Sequence, residues 1–202
     1  MMDFKLLQIN LEKDAVHHAF SGSRELLALS ETIFPPPKEL YEVAYSGKAA
    51  KIKPSELWHI FNVDYPERFR GRSMSVSDVI EYTLPNSEKL YLFVDSIGFV
   101  PLDFGEEFVY SRMPEYVSGT GNGDDYVRFY YMGSKGERIV TVNVDSVMKG
   151  SREGNCSEKG SVVLTPSEML QTIFVSEMAK RKDSDSCTLK SVYEIFSDIL
   201  RL

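Results

Sequence analysis

The sequence has little cysteine, little histidine, one tryptophan and no long apolar run, and each shortage removes a class of protein. Cys156 and Cys187 are the only cysteines among 202 residues, too few for a disulfide framework and without the CxxC or histidine spacing of a zinc site. The expectation is therefore no metal and no other cofactor. Charge interrupts every apolar stretch before the ~20 residues that a membrane span requires. The opening MMDFKLLQINLEKD carries acids where a signal peptide would carry an apolar core. Both points lead to the expectation of a cytoplasmic protein that touches no membrane. Bases are also scarce, 23 against 30 acids for a net charge of −7. That balance argues against broad non-specific DNA binding, which needs several lysines and arginines to replace phosphate counterions.

What remains is a chain that is 43% hydrophobic and 26% charged, enough to bury a full core. FKLLQI (Phe4 to Ile9) reads as a first strand, and Ala15 to Leu29 as a helical region broken by a turn at Ser21-Gly22-Ser23. Pro35-Pro36-Pro37 imposes an extended linker, because each ring fixes φ. LYEVAY (Leu40 to Tyr45) alternates as a strand and is expected to end at Ser46-Gly47. Pro54 at a first helical position, followed by Leu57, Trp58, Ile60 and Phe61, marks a short amphipathic helix. Lys89 to Leu102, KLYLFVDSIGFVPL, reads as a buried strand that turns near Gly98.

Beyond the glycine-rich turn Ser118 to Gly123, two β-rich runs, Tyr126 to Met132 and Arg138 to Val144, are joined by Gly133-Ser-Lys-Gly136, a hairpin signal. Lys149 to Gly160 is polar and reads as a mobile loop. Thr165-Pro166-Ser167-Glu168 is a capping box that starts a helix with Met169, Leu170, Ile173, Phe174 and Met178 on one face. A last helix is expected from about Leu189, with Val192, Tyr193, Phe196, Ile199 and Leu200 at helical spacing. These elements predict an α+β fold, with antiparallel or mixed sheets and a C-terminal hairpin followed by two amphipathic helices. One continuous body is expected, with a hinge near Gly105 or Ser118.

Chemistry is thinly signposted. Arg68, Arg70 and Arg72 fall within five residues, close enough to clamp a phosphate or carboxylate through their guanidinium forks. They could equally cap carbonyls and pair with Asp64, Glu67 and Asp78. Ser75 to Asp78 fits a helix N-terminus, with Ser75 as cap and Asp78 facing the positive end of the dipole. His17 and His18 are adjacent and point about 100° apart on a helix, and His59 follows Trp58, so a histidine base has no spaced partner. There is no G-x-S-x-G elbow, and SGTGNG lacks the lysine of a P-loop. Hence no catalytic residue is assigned. Tyr126, Tyr130 and Tyr131, with Phe129 and Arg128, could offer stacking surface to single-stranded RNA, although strand parity must send half of them into the core. Between Asp103 and Asp125 the acids Asp103, Glu106, Glu107, Glu115, Asp124 and Asp125 face only Arg112. That segment would attract a basic partner.

The run FNVDYPERFRGRSMSVSDVIEY (Phe61 to Tyr82), followed by LYLFVDSIGFVPLDF, resembles the YodL-like domain, whose pattern joins an FN-x-D-x-P-x-x-F-x-GRS-[LM]-SVSDV core to a Y-[YF]-VDS-x-GF strand. Phe61, Asn62, Asp64, Pro66, Phe69, Gly71, Arg72, Ser73, Ser75, Val76, Ser77, Asp78, Val79, Asp95, Ser96, Gly98 and Phe99 carry the match. The resemblance spans residues 1 to 104, so the expected division is a YodL-like domain over 1–104 and a second half over 105–202.

Such domains are similar to parts of accessory proteins of Gram-positive mobile genetic elements, some beside antirestriction modules, and one class interferes with the bacterial actin-like cytoskeleton. The resemblance implies no catalytic set. It implies a counter-defence role, and with the net acidity the expected function is an anti-CRISPR inhibitor of a type II RNA-guided nuclease. The expected partner is that effector or its guide RNA, and the expected contact residues are Arg68, Arg70, Arg72, Glu106, Glu107, Asp124 and Asp125. The alternatives are an enzyme that truncates guide RNA and a regulator that binds a host cytoskeletal or conjugation protein.

Overall fold

Alternation of inward and outward side chains governs most of this chain and folds it into two antiparallel sheets of five strands each. The computed structural model describes residues 1–105, 108–119 and 123–181. The chain divides into two compact units, Met1–Gly105 and Glu106–Leu202.

The first unit contains β1 (Met2–Ile9), α1 (Ser23–Ala28), β2 (Tyr41–Ala49), α2 (Pro54–Ile60), β3 (Val79–Thr83), β4 (Lys89–Val94) and β5 (Phe99–Leu102). The sheet order is β2-β1-β3-β4-β5. Cross-strand partners share a face, so Phe4, Tyr82 and Leu90 lie in one row, and Leu6, Ile80 and Leu92 in the next. The buried Leu57 of α2 and Phe61 belong to the core. Tyr82 reaches the carbonyl of Ile52 just ahead of α2 at 3.3 Å. The alternate residues Leu7, Val79, Phe93 and Val100 form a second apolar row. Phe34 closes on Phe93 edge to face at 5.2 Å. With residues buried on both faces, this sheet needs almost continuous apolar strands, as in KLYLFV.

The second unit contains β6 (Tyr110–Val117), β7 (Tyr126–Gly133), β8 (Gly136–Asn143), α3 (Val144–Met148), β9 (Glu153–Cys156), β10 (Gly160–Val163) and α4 (Pro166–Arg181), in the sheet order β10-β9-β8-β7-β6. The β7–β8 hairpin closes at Gly133 and Gly136, where a φ of 114° requires glycine. Val127, Phe129, Tyr131, Val140 and Val142 are buried. α4 is held to the sheet by polar contacts as well as apolar ones. Tyr131 donates to Glu168 and Tyr110 to Gln171, each at 2.9 Å.

Several expectations are corrected here. The fold is mostly β rather than α+β, and the hairpin is not followed by a pair of helices. Among the described residues α4 stands alone after β10, and the helix expected from Leu189 lies outside them. The polar stretch 149–160 is not a loop, because Gly154 and Cys156 turn inward against the core while polar residues face out. Strands of four residues are too short for that alternation to show in sequence. The helical region expected at 15–29 contracts to the six residues of α1, since His17 and Phe20 adopt left-handed φ values of 60° and 68° that no helix can contain. Ser46-Gly47 does not end β2, because Gly47 lies opposite Phe4, where a Cβ would meet the ring.

The capping box of α4 forms as its sequence indicates. Thr165 N–H donates to Glu168 at 2.9 Å, and Glu168 N–H donates back to Thr165 Oγ1 at 3.1 Å. Because the other oxygen of Glu168 accepts from Tyr131, Glu168→Ala should lower the stability of the second unit by about 1–3 kcal/mol. A shift of the urea midpoint read on residues 108–181 checks this.

Candidate functional site

The segment between α2 and β3 contains the densest pattern in the sequence, and the structure organises it around one buried carboxylate. Asp78, with no exposed surface, accepts two hydrogen bonds from Arg72, at 2.9 and 2.5 Å. It accepts two more, from Gln8 Nε2 and from the Ser75 amide, each at 2.9 Å. Four donors converge on two oxygens, which is what burial of a charge demands. Burial pushes the carboxyl up to about 6, against the pull of Arg72, Gln8 and the Ser75 amide. Gly71 makes the approach possible, since a Cβ there would collide with the Gln8 side chain and come within 2.8 Å of Ala44.

Ser75 to Asp78 is thus a turn and not the start of a helix. Ser77 takes a left-handed φ of 75°, its amide donates to Val94 O, and Val94 N–H donates to Asp78 O, both at 2.8 Å. Asp78 serves as acceptor for its own turn and leads directly into β3.

Residues 10 to 22 clasp this turn from the other side. Asp14 accepts from the amides of His18 and Ala19 and contacts His18 Nδ1 at 2.9 Å. Burial alone would raise the Asp14 carboxyl, but these donors together outweigh it and hold it below its ordinary value. The Phe20 amide donates to Ser77 Oγ at 2.8 Å, and the Phe20 ring lies 4.7 Å from the Arg72 guanidinium. Tyr41 donates to Ser77 O at 2.9 Å. Asp95, from the VDS-x-G string, accepts from the backbone and hydroxyl of Ser23, at 3.1 and 2.5 Å, and so caps α1. Gly98, at a φ of 80°, turns the chain between β4 and β5.

The three arginines separate in role. Arg72 is engaged with Asp78, whereas Arg68 and Arg70 are exposed and have no acidic partner among the described residues. Both line shallow grooves beside β2, Arg70 with Gln8, Glu42 and Val43, and Arg68 with Ala44, Ser46 and Glu67. Asp64 pairs instead with His59, at 3.1 Å on the surface. Between the two arginines, Phe69 packs on Phe61 at 5.0 Å and stacks under Tyr65 at 5.7 Å with an 8° tilt.

The acidic segment does not present a single acidic surface. Asp103 is buried, Asp124 is exposed, and Asp125 is bound to Lys180 at 3.3 Å. The Tyr116 hydroxyl, ahead of Lys180 in effect, holds the Asp125 carboxyl below its ordinary value. Glu115 accepts from Tyr130 and lies 3.9 Å from Arg128. Glu106 and Glu107 lie outside the described residues. The aromatic strand obeys parity: Val127, Phe129 and Tyr131 are core, while Tyr130, nearly inaccessible, lies 3.6 Å beneath the Arg112 guanidinium. It offers no open ring. The histidines are not brought together: His18 is buried against Asp14, and His59 is on the surface. Among the described residues no group of three His, Cys, Asp or Glu could hold a metal ion, and no helix is long and apolar enough to cross a membrane.

Sequence reasoning missed Gln8, Asp14, Phe20 and Tyr41, which complete the site from distant positions. Only Gln8 left a signal, as an amide in an otherwise apolar run.

The family model described as YodL-like domain matches residues 3–104, which is half of the chain. No curated protein and no solved structure matches it.

Removing Arg72 leaves the Asp78 charge buried without its main partner. Arg72→Ala should therefore lower stability by about 3–5 kcal/mol at neutral pH. The pH dependence has a definite sign. With a folded value near 6 against about 3.9 unfolded, the folded state holds more protons between those values, so stability falls as pH rises from 4 to 6. Near pH 5 the native carboxyl is largely protonated and Arg72 has less charge to compensate. Denaturant midpoints of the two proteins should therefore lie closer together at pH 5 than at pH 7.5.

Proposed function

The chain belongs to the YodL-like domain family, and from that premise we propose that it acts by binding, as a mobile-element accessory protein that counters host defence. The specific reading is an anti-CRISPR inhibitor that occupies a type II RNA-guided nuclease or its guide RNA. The observation that carries the binding reading is the division of labour among the arginines. Arg72 and Asp78 lock the turn from inside, while Arg68 and Arg70 are exposed on it without an acidic partner among the described residues, and Tyr65, close by in sequence, stands half exposed. A rigid turn that leaves arginine and aromatic side chains uncommitted has the composition of an interface hot spot.

The mobile-element setting implied by the resemblance supplies the biological direction, and the effector is the target it favours. The acidic segment contributes less than its composition suggests, because Asp103 is buried and Asp125 is engaged by Lys180. Of the expected contact residues, Arg68, Arg70 and Asp124 are exposed to a partner, Asp124 while accepting from the Tyr126 hydroxyl at 3.4 Å. An enzyme that truncates guide RNA would need a general base placed near the arginines. His59, the histidine nearest to them in sequence, is engaged by Asp64.

The test is co-purification of the tagged full chain with a guide-loaded type II effector, followed by electrophoresis of protein and RNA. Effector recovered with full-length guide is the expected result. Shortened guide would replace the binding reading with an enzymatic one, and recovery of neither component would remove the nuclease as target.

A further inference from the structure

The core of the first unit contains a chain of aromatic rings that ends on the surface. Tyr45 meets Phe61 at 5.3 Å, Phe61 meets Phe69 at 5.0 Å, and Phe69 stacks on Tyr65 at 5.7 Å with the planes 8° apart. Tyr65 is the last ring, and half of it is exposed. Phe69 takes one face of the ring, and the exposed half of Tyr65 is open to a partner. Its hydroxyl contacts Ser73 Oγ at 2.6 Å, which fixes the ring plane. Ser73 in turn lies next to Arg72 and so inherits the rigidity of the Asp78 cluster.

Charge along this segment runs against the charge of the chain, even though Lys48 pairs with Asp3 and Arg72 with Asp78. The whole sequence carries −7, yet residues 48–72 contain six lysines and arginines against three acids. Of those acids, Asp64 is engaged by His59 and Glu56 by the Lys53 amide. Glu67 shares the β2 groove with Arg68. Arg68 and Arg70 are exposed on either side of Phe69, without an acidic partner among the described residues. Tyr65, a half-exposed ring, precedes the exposed Arg68 and Arg70 by three and five residues, and an aromatic surface close to guanidinium groups suits a nucleotide, with its base to stack and its phosphate to pair.

We infer that Tyr65, Arg68 and Arg70 form a binding site for single-stranded nucleic acid, with a base stacked on the outer face of Tyr65 and neighbouring phosphates held by the two arginines. The site deepens the binding reading above and rests on it, by naming the chemistry of the partner. A duplex is a poor ligand here, because its bases are already stacked and an acidic protein repels its dense backbone.

Fluorescence anisotropy of the full chain alone with fluorescein-labelled oligouridylate, the matching oligothymidylate and a short duplex tests this. Binding of a single strand in low salt, stronger than that of the duplex, is expected. Tyr65→Ala should weaken it about tenfold or more, whereas Tyr65→Phe, which keeps the ring, should stay within about threefold. Replacing Arg68 and Arg70 together by alanine should reduce the slope of log affinity against log salt by about 1.4, two phosphates at about 0.7 each. Absence of single-strand binding at about 100 μM protein, where even weak sites register, overturns the inference. So does unchanged affinity in a folded Tyr65→Ala chain. Because no effector is present, such a failure alongside successful co-purification would reject the nucleic-acid contact and leave the protein-binding reading intact.

Discussion

The first unit depends on a buried carboxylate that cannot be left alone. Asp78 has no exposed surface and four donors, one from Gln8 on β1, two from Arg72 and one from the Ser75 amide. A conformation that withdraws any of them leaves charge uncompensated in a poorly polarisable interior. The requirement fixes the path of residues 71 to 78 and forces glycine at position 71. Through Ser77 it also sets the position of Phe20 and Tyr41. Buried ion pairs often add little net stability. This one has a different task, which is to select a single arrangement of the loops around it.

That arrangement explains why arginines two residues apart differ so much in behaviour. Arg72 faces inward to Asp78, and the aromatic chain through Phe61 and Phe69 anchors the rest of the turn. Arg68 and Arg70 are left on the outside with Tyr65. Order in the turn is supplied by the protein itself, so a partner need not supply it on binding. The second unit is built differently. Its polar contacts, Glu168 with Tyr131 and Gln171 with Tyr110, join a helix to one sheet and leave its acids mostly engaged.

Much of this was legible in the sequence where side-chain pattern and local turn chemistry agree. The strands from Phe4 and Lys89, the Gly133 to Gly136 hairpin, the Pro54 helix and the Thr165 capping box all declare themselves through periodicity or capping residues. The misreadings share a physical origin. Ser75 to Asp78 has the residues of a helix start, but the donor that Asp78 needs most comes from Arg72 and Gln8, which local reasoning cannot bring to it. His17 and Phe20 break the expected helix because Asp14 and Ser77 hold their backbone in left-handed turns. β9 and β10 escaped notice because Gly154 and Cys156 are too few to signal an inward face. The arginine cluster was visible as a cluster, but the division between Arg72 and its neighbours is a tertiary fact.

The most direct measurement is native-state hydrogen exchange of the Asp78→Asn variant, compared residue by residue with the parent chain. Asparagine keeps the shape and removes the charge that gathers the donors. If Asp78 organises the loops, the amides of Ser75, Ser77 and Phe20 should all exchange faster together, while those of β7 and β8 stay unchanged. Acceleration confined to Ser75, whose backbone amide the Asp78 carboxylate binds directly, would show a local acceptor and contradict the account.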